Sequence, residues 1–291
     1  VIRVNIMDIT ELQTHERFKF IEFLLLFKGQ LTRSELVERF GIGEATASRL
    51  IKSYIDKNPN QENYLGPRLG YVKADTFQIE YKHDALDGLR YVASGKLLSQ
   101  FKVVTYGLTI HSFNQSLSTE LVAPVTRAIV GLRYVSLDYI SSSSGISSRV
   151  IAPHSLFMAS GTWYFRAYDM QSSTFRTFKF SRIKNAVTLG EIDNVIHSDI
   201  KDDSWHQMRA VKLKPHPKLE HAEAIELELQ TSPVKDIYIS EATLGFAMSE
   251  LRVDCSKKHK LSHVEYPLIL VNRDELENVD SMVLAPGFLI T

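Results

Sequence analysis

The sequence predicts an α+β fold divided into several domains. Its 291 residues exceed one ordinary domain and suggest two or three. The N-terminal part repeats apolar residues at helical spacing. From Tyr134 onward the pattern changes to short β-rich runs separated by turns.

The first helix is expected over His15 to Lys28, where Phe18, Ile21, Leu24, Leu25 and Phe27 share helical spacing and Gly29 stops it. Thr32-Arg33-Ser34-Glu35 forms a capping box, in which Thr32 serves the third-residue amide and Glu35 reaches back to the cap. Leu31 and Leu36 sit where a hydrophobic staple places them. That second helix ends at Phe40-Gly41. After Gly41-Ile42-Gly43 a third helix runs from Glu44 through Tyr54 and closes at Asn58-Pro59-Asn60, because proline cannot continue it. Gly66-Pro67-Arg68-Leu69-Gly70 is a turn. Tyr71 and Val72 with Phe77 and Ile79, around Ala74-Asp75-Thr76, suggest a hairpin. Asp84 can cap a further helix with Leu86, Leu89, Val92, Leu97 and Leu98 on one face.

Strands are expected at Tyr134–Ile140, Ser148–Ile151, Trp163–Tyr168 and Phe175–Phe180, spaced as in a small barrel or sandwich. Asp199 to Ser204 reads as a polar linker. Beyond it, Ala210–Leu213, Ile225–Leu229, Ile237–Ile239 and Tyr266–Val271 read as strands, and Glu241–Leu251 as a helix. Glu226 and Glu228 alternate with apolar residues as on a half-exposed strand.

Composition removes several classes. Lys and Arg number 34, Asp and Glu 34, so the net charge is zero and any nucleic-acid contact must use local charge. The 44% hydrophobic and 23% charged fractions are those of a globular chain, not a disordered one. The single cysteine, Cys255, excludes an internal disulfide and a cysteine-rich zinc site, and is expected to be a small buried filler. No run approaches the roughly 18 apolar residues of a membrane span, so no membrane partner is expected. Val1–Asn5 carries no signal-peptide pattern. With a single cysteine, a reducing cytoplasm is the expected location. His216, His221, His259 and His263 match no zinc spacing and are expected at the surface. No phosphate-binding glycine loop or serine elbow is present, so neither an enzyme nor a cofactor is expected.

Helix, capped short helix, glycine turn, helix and hairpin together form a winged helix-turn-helix pattern. The third helix would enter the major groove of double-stranded DNA. Its exposed polar candidates are Glu44, Thr46, Ser48, Arg49, Lys52 and Ser53, with Arg49 able to read guanine or hold a phosphate. Ala45 and Ala47 would allow close approach. Arg68 and Lys73 in the wing are candidates for backbone contacts.

The middle segment carries the most specific motifs. Ser148-Arg149-Val150-Ile151-Ala152-Pro153-His154-Ser155-Leu156 precedes Trp163-Tyr164-Phe165, and Arg176-Thr177-Phe178-Lys179-Phe180-Ser181-Arg182-Ile183 follows. This resembles the WYL domain of bacterial transcription regulators, with Phe165 in place of the leucine. The similarity covers roughly Leu121 to Val195. The whole order is similar to WYL regulators of phage-defence operons such as BREX and CBASS. The resemblance implies an Sm-like or SH3-like β-barrel, a C-terminal α+β dimerisation domain and a homodimeric repressor. It also implies a nucleotide or single-stranded nucleic-acid effector, with Tyr139, His154, Ser155, Arg176 and Arg182 as ligand-binding residues and Arg149 and Arg166 as neighbours. Converging arginines suit an anion. Trp163 is expected in the core.

The expected domains are 1–82 for the winged helix-turn-helix, 83–120 for a helical linker, 121–198 for the WYL domain and 205–291 for the dimerisation domain. Two other readings stay open at this point: an activator of the same architecture, and a nucleic-acid-processing enzyme or adaptor gripping substrate with the arginine cluster.

Overall fold

The structure, a computed structural model, describes residues 9–66, 70–94, 117–230 and 235–289. It divides into two compact units. One holds the chain up to Leu156 together with Phe165–Asp193; the other holds Phe157–Tyr164 together with Asn194 onward.

The first unit begins with α1 (Ile9–Phe27), β1 (Gln30–Leu31), α2 (Arg33–Phe40) and α3 (Glu44–Lys57). Gly29 takes φ +81°, and its N–H closes on the Leu24 carbonyl at 3.0 Å, which ends α1. The capping box is present: Glu35 accepts from the Thr32 N–H at 2.9 Å. Leu31 and Leu36 are both buried, as a staple requires. Gly41, at φ +61°, caps α2 and turns the chain toward α3. Phe18, Ile21, Leu24, Leu25, Leu50, Ile51 and Tyr54 form the core beneath.

The wing is paired differently from the sequence expectation. β3 (Tyr71–Lys73) is the central strand between β1 and β2 (Glu62–Tyr64), with Leu31 and Tyr64 both opposite Tyr71. The hairpin therefore joins β2 to β3, and the Leu65 N–H donates to the Gly70 carbonyl at 2.9 Å. Phe77 and Ile79 lie outside any strand. Their segment is held instead by side chains of other elements. Gln61 Oε1 accepts the Gln78 N–H at 2.7 Å, and the buried Glu22 accepts the N–H groups of Glu80 and Tyr81. Alternation alone could not anticipate these long-range acceptors.

α4 (Ala85–Ser94) starts at Asp84, whose Oδ1 accepts the Leu86 N–H at 2.8 Å. Leu97 and Leu98 lie outside the described residues, as does Arg68. α5 (Thr119–Gly131), capped by Ser118, packs on α1 and α4 and also on strands β4 and β8. The sheet contains β4 (Arg133–Ser141), β5 (Gly145–Ala159), β6 (Thr162–Asp169), β7 (Thr174–Lys179) and β8 (Ile183–Glu191), in the order β7-β6-β5-β4-β8. This pairing is that of an open five-stranded sheet; barrel closure is not among its pairings. Val135, Leu137, Ile151, Phe165, Ala167 and Phe178 fill its inner face.

The second unit contains α6 (Asp203–His206), β9 (Met208–Pro215), α7 (Ala222–Leu229), β10 (Lys235–Ser240), α8 (Leu244–Glu250), β11 (Val253–Asp254) and β12 (Leu268–Leu270). Its sheet runs β10-β9-β12-β11 over a core of Val211, Leu213, Leu244, Met248, Val253, Leu268, Met282 and Phe288. Cys255 is buried there as a small filler.

Two sequence expectations are corrected in this unit. Ile225–Leu229 belongs to a helix, not a strand. Ala, Glu and Leu are strong helix formers, and Ile225 and Leu229, four apart, share the face packed on the core while Leu227 is 80% exposed. Asp199–Ser204 is not an open linker. It lies in short helical turns, where Asp202 caps α6 by accepting the Trp205 N–H.

Candidate functional site

α3 presents two faces. Ala47, Leu50, Ile51 and Tyr54 point into the core. Glu44, Ala45, Arg49, Lys52 and Ser53 are exposed, and Thr46 and Ser48 are half-buried beside them. Ala47 is thus a packing residue rather than one that eases approach to a groove. Arg49 lies along the helix, donating from Nε to the Ala45 carbonyl at 3.3 Å and from a terminal nitrogen to Thr46 Oγ1 at 3.4 Å. These contacts are weak and exposed, so the guanidinium can exchange them for a ligand. Arg33, at the start of α2, reaches Ser48 Oγ at 3.5 Å. Arg33 therefore belongs to the same surface, although helical periodicity does not single it out; its position just after the Thr32 cap was the available signal. Tyr64 and Tyr71 stand together on the wing, with ring centroids 4.9 Å apart. Burial, with Tyr64 and Glu62 nearby, pushes the Tyr71 hydroxyl up.

Lys73 faces another way. It is partly buried, donates to the Ala74 carbonyl at 3.0 Å and lies 5.3 Å from the Phe77 ring centroid. Burial and the nearby Arg127 hold its ammonium below the usual lysine range. Arg127, on α5, donates to the Leu26 carbonyl at 2.8 Å, at the C-terminal end of α1. Helix ends carry unpaired carbonyls and partial negative charge, so a cation is favoured there. Burial still lowers the guanidinium to about 10.

The residues proposed for the sensor divide between the two faces of the second sheet. On β6, Trp163, Phe165, Ala167 and Asp169 point inward and Tyr164, Arg166 and Tyr168 outward. Trp163 is core, as expected. Asp169 is fully buried. Arg149 lies 2.6 Å from its Oδ2, while Arg176, half-exposed, stands at 4.0 Å. Ser172 Oγ and the Gln171 N–H also donate to Asp169. Tyr139 is buried, edge-on to Phe178, and its hydroxyl accepts the Lys179 N–H at 3.0 Å.

Outward, Arg166 approaches Thr177 Oγ1 at 3.5 Å, and Phe175 packs on both Tyr168 and His154. His154 Nδ1 is 2.8 Å from Ser155 Oγ. Arg182 is exposed on the 3-10 turn Phe180–Arg182. Arg149 and Arg176 thus stand by Asp169, while His154 and Tyr168 share the Phe175 ring on the outer face.

In the other unit, His216 is buried rather than at the surface as expected. Its Nδ1 accepts the Lys218 N–H at 3.2 Å, and its Nε2 lies 3.7 Å from Asp254 Oδ2. Burial holds its imidazole below the usual range, against the pull of Asp254. Among the described residues no His, Cys, Asp and Glu group is arranged to hold a metal, and no helix is long and apolar enough to cross a membrane.

Comparison with known families follows the same order along the chain. The BrxR transcriptional regulator winged helix-turn-helix domain matches residues 13–97, and the WYL domain matches 120–188. The BrxR transcriptional regulator C-terminal dimerization domain matches 208–276. These matches define a WYL-domain protein headed by a winged helix-turn-helix. Among full-length relatives, a DNA-binding transcriptional repressor CapW of Pseudomonas aeruginosa is 25% identical over 90% of both chains. The CapW repressor of Escherichia coli (strain KTE188) is 26% identical over 89% of both. Along its whole length the chain is similar to WYL regulators of the BrxR and CapW type. A solved structure, the proteasome accessory factor B/C (PafBC) of Arthrobacter aurescens, aligns at TM-score 0.26 and 14% identity. That alignment covers 95% of this chain and 48% of that one, so this chain spans about half its length.

Proposed function

We propose that this chain is a homodimeric DNA-binding transcriptional repressor of a phage-defence operon. Its α3 helices would read two half-sites of an inverted repeat, and its WYL domain would sense a nucleotide or single-stranded nucleic acid. The observation that carries the DNA reading is the exposed face of α3. Arg49, Lys52 and Ser53 stand clear of the core on a helix whose opposite face is locked into it. Two-fold operator symmetry follows from a two-fold dimer.

The sensor reading rests on the arginines. Arg149 is already neutralised by buried Asp169, whereas Arg176 is half-exposed and Arg182 exposed. The last two can therefore meet an incoming phosphate. A ligand releases the operator only through different affinities for the bound and free conformations. A regulator fits better than an enzyme because the similar full-length chains are named as DNA-binding transcriptional repressors. The chain would work in the cytoplasm, where its operator is.

Arg49→Ala tests the reading. Loss of one bidentate base contact should cost about 1–3 kcal/mol of operator affinity while the dimer persists. Gel-shift titration with sizing chromatography measures both. Unchanged operator affinity would remove Arg49 from the interface.

A further inference from the structure

The C-terminal unit joins two basic segments that operator reading does not use. β9 ends at Lys214-Pro215 and is followed by His216-Pro217-Lys218, and the loop after β11 reads Ser256-Lys257-Lys258-His259-Lys260. No carboxylate occurs from Cys255 to Val264 or from Lys214 to Leu219; Glu265 and Glu220 come only after them. The fold brings these segments together at His216. Its ring centroid lies 6.2 Å from that of His259 and 5.9 Å from that of His263.

The loop is held in shape. Asp254 accepts the Ser256 N–H at 2.8 Å and the Leu261 N–H at 2.9 Å, and Ser256 Oγ accepts the Lys260 N–H at 2.8 Å. His259 takes φ +48°. Asp254 is fully buried, so its charge is spent on backbone amides rather than on the lysines outside. Lys214, Lys218, Lys257 and Lys258 are exposed, and none has an ion-pair partner among the described residues. His216 Nε2 and His259 Nδ1 are buried without a hydrogen-bond partner. Burial holds the His216 imidazole below its usual range; Asp254 works against this, and His259 and Lys218 add to it.

Four unneutralised lysines on one rigid loop pair are a strong local charge in a chain of zero net charge. Lysine is a point charge without the planar fork that reads guanine. These two segments also contain no Phe, Tyr or Trp on which an unpaired base could stack. The chemistry suits phosphates at fixed spacing, met without reading sequence.

We propose that this lysine surface is a second nucleic-acid contact, which binds duplex DNA through its backbone phosphates. The choice of duplex DNA as partner rests on the operator reading above; the charge itself does not. Such a surface adds sequence-independent affinity that α3 alone lacks.

Fluorescence anisotropy on the full chain tests it with three probes: an unrelated duplex, a single strand of the same length, and a duplex of the promoter region upstream of the gene that carries the inverted repeat the operator reading requires. The double variant Lys257→Gln, Lys258→Gln is compared with wild type and with Lys201→Gln, an exposed lysine elsewhere. Across about 50–200 mM salt, the slope of log K against log salt on the unrelated duplex should fall by about 1.8, at roughly 0.9 per phosphate contact. Preference for the inverted repeat over the unrelated duplex should stay unchanged, and Lys201→Gln should behave as wild type. An unaltered slope in the double variant overturns the proposal. A slope reduced only on the single strand overturns the assignment to duplex. If wild type shows no preference for the inverted repeat, the operator reading fails, while the slope on unrelated duplex still decides the lysine surface.

Discussion

Glu22 does with one carboxylate what the wing segment cannot do for itself. It is fully buried on α1, accepts the N–H groups of Glu80 at 3.0 Å and Tyr81 at 2.8 Å, and lies 2.8 Å from His83 Nε2. The chain leaving the wing is thereby pinned to α1 just before α4 begins. Removing the carboxylate would leave two backbone donors and a buried imidazole without a partner. Glu22→Ala should therefore cost about 3–5 kcal/mol, the range for breaking a buried pair. Urea unfolding monitored by circular dichroism measures this; a loss under about 1 kcal/mol would show that water replaces the carboxylate. In the sequence, Glu22 merely interrupts an apolar run. Its partners lie about sixty positions away, and no local pattern announces them. The Asp169 centre was half-legible for the same reason. Its arginines stood out by type, but the buried acid that selects Arg149 over Arg176 did not.

At the scale of elements, legibility followed the range of the interactions. Thr32, Glu35, Gly29 and Gly41 act within a turn of their own positions, so the stop of α1 and both ends of α2 could be read directly, whereas α1 begins at Ile9, six residues before the expected start. The wing register and the helical state of α7 depend on partners far along the chain, and both were misread. α4 illustrates a contact of the second kind. Gly88 faces the Phe27 ring so closely that an added Cβ would collide with its Cδ1, Cε1 and Cγ atoms. Phe27 is fully buried and cannot swing aside. Glycine is therefore a packing requirement here, despite its poor helix propensity. Gly88→Ala should destabilise the first unit by about 1–3 kcal/mol, although alanine is the better helix former. The same denaturant titration decides it, and a gain in stability would show that α4 can shift on α1. α4 and α5 both rest on the end of α1, through Gly88 and through Arg127. They are the elements that join the β4–β8 sheet to α1, on which α3 packs.

At the scale of the molecule, the division into two units has thermodynamic consequences. Each has its own core, one around α1 and the inner face of the β4–β8 sheet, the other around Val211, Leu244 and Met282. Separate cores can melt separately, and anything that binds only one unit raises that transition alone. Scanning calorimetry should resolve two transitions. Operator duplex should raise the one belonging to the first unit. Protein concentration should raise the other, because the C-terminal unit carries the proposed dimer contact. Acid should act on that second transition as well. Burial lowers the His216 pKa in the folded state, so the unfolded chain binds the proton more readily. The contribution is fully present above the unfolded value of about 6.5 and is lost as pH falls through the folded value. His259 and Lys218 oppose the added charge, and Asp254 partly offsets it. His216→Asn should flatten the acid dependence of the second transition and leave the first unchanged. A single transition, raised equally by operator and by concentration, would mean that the two cores fold as one and that ligand and dimer contact are coupled through the whole chain.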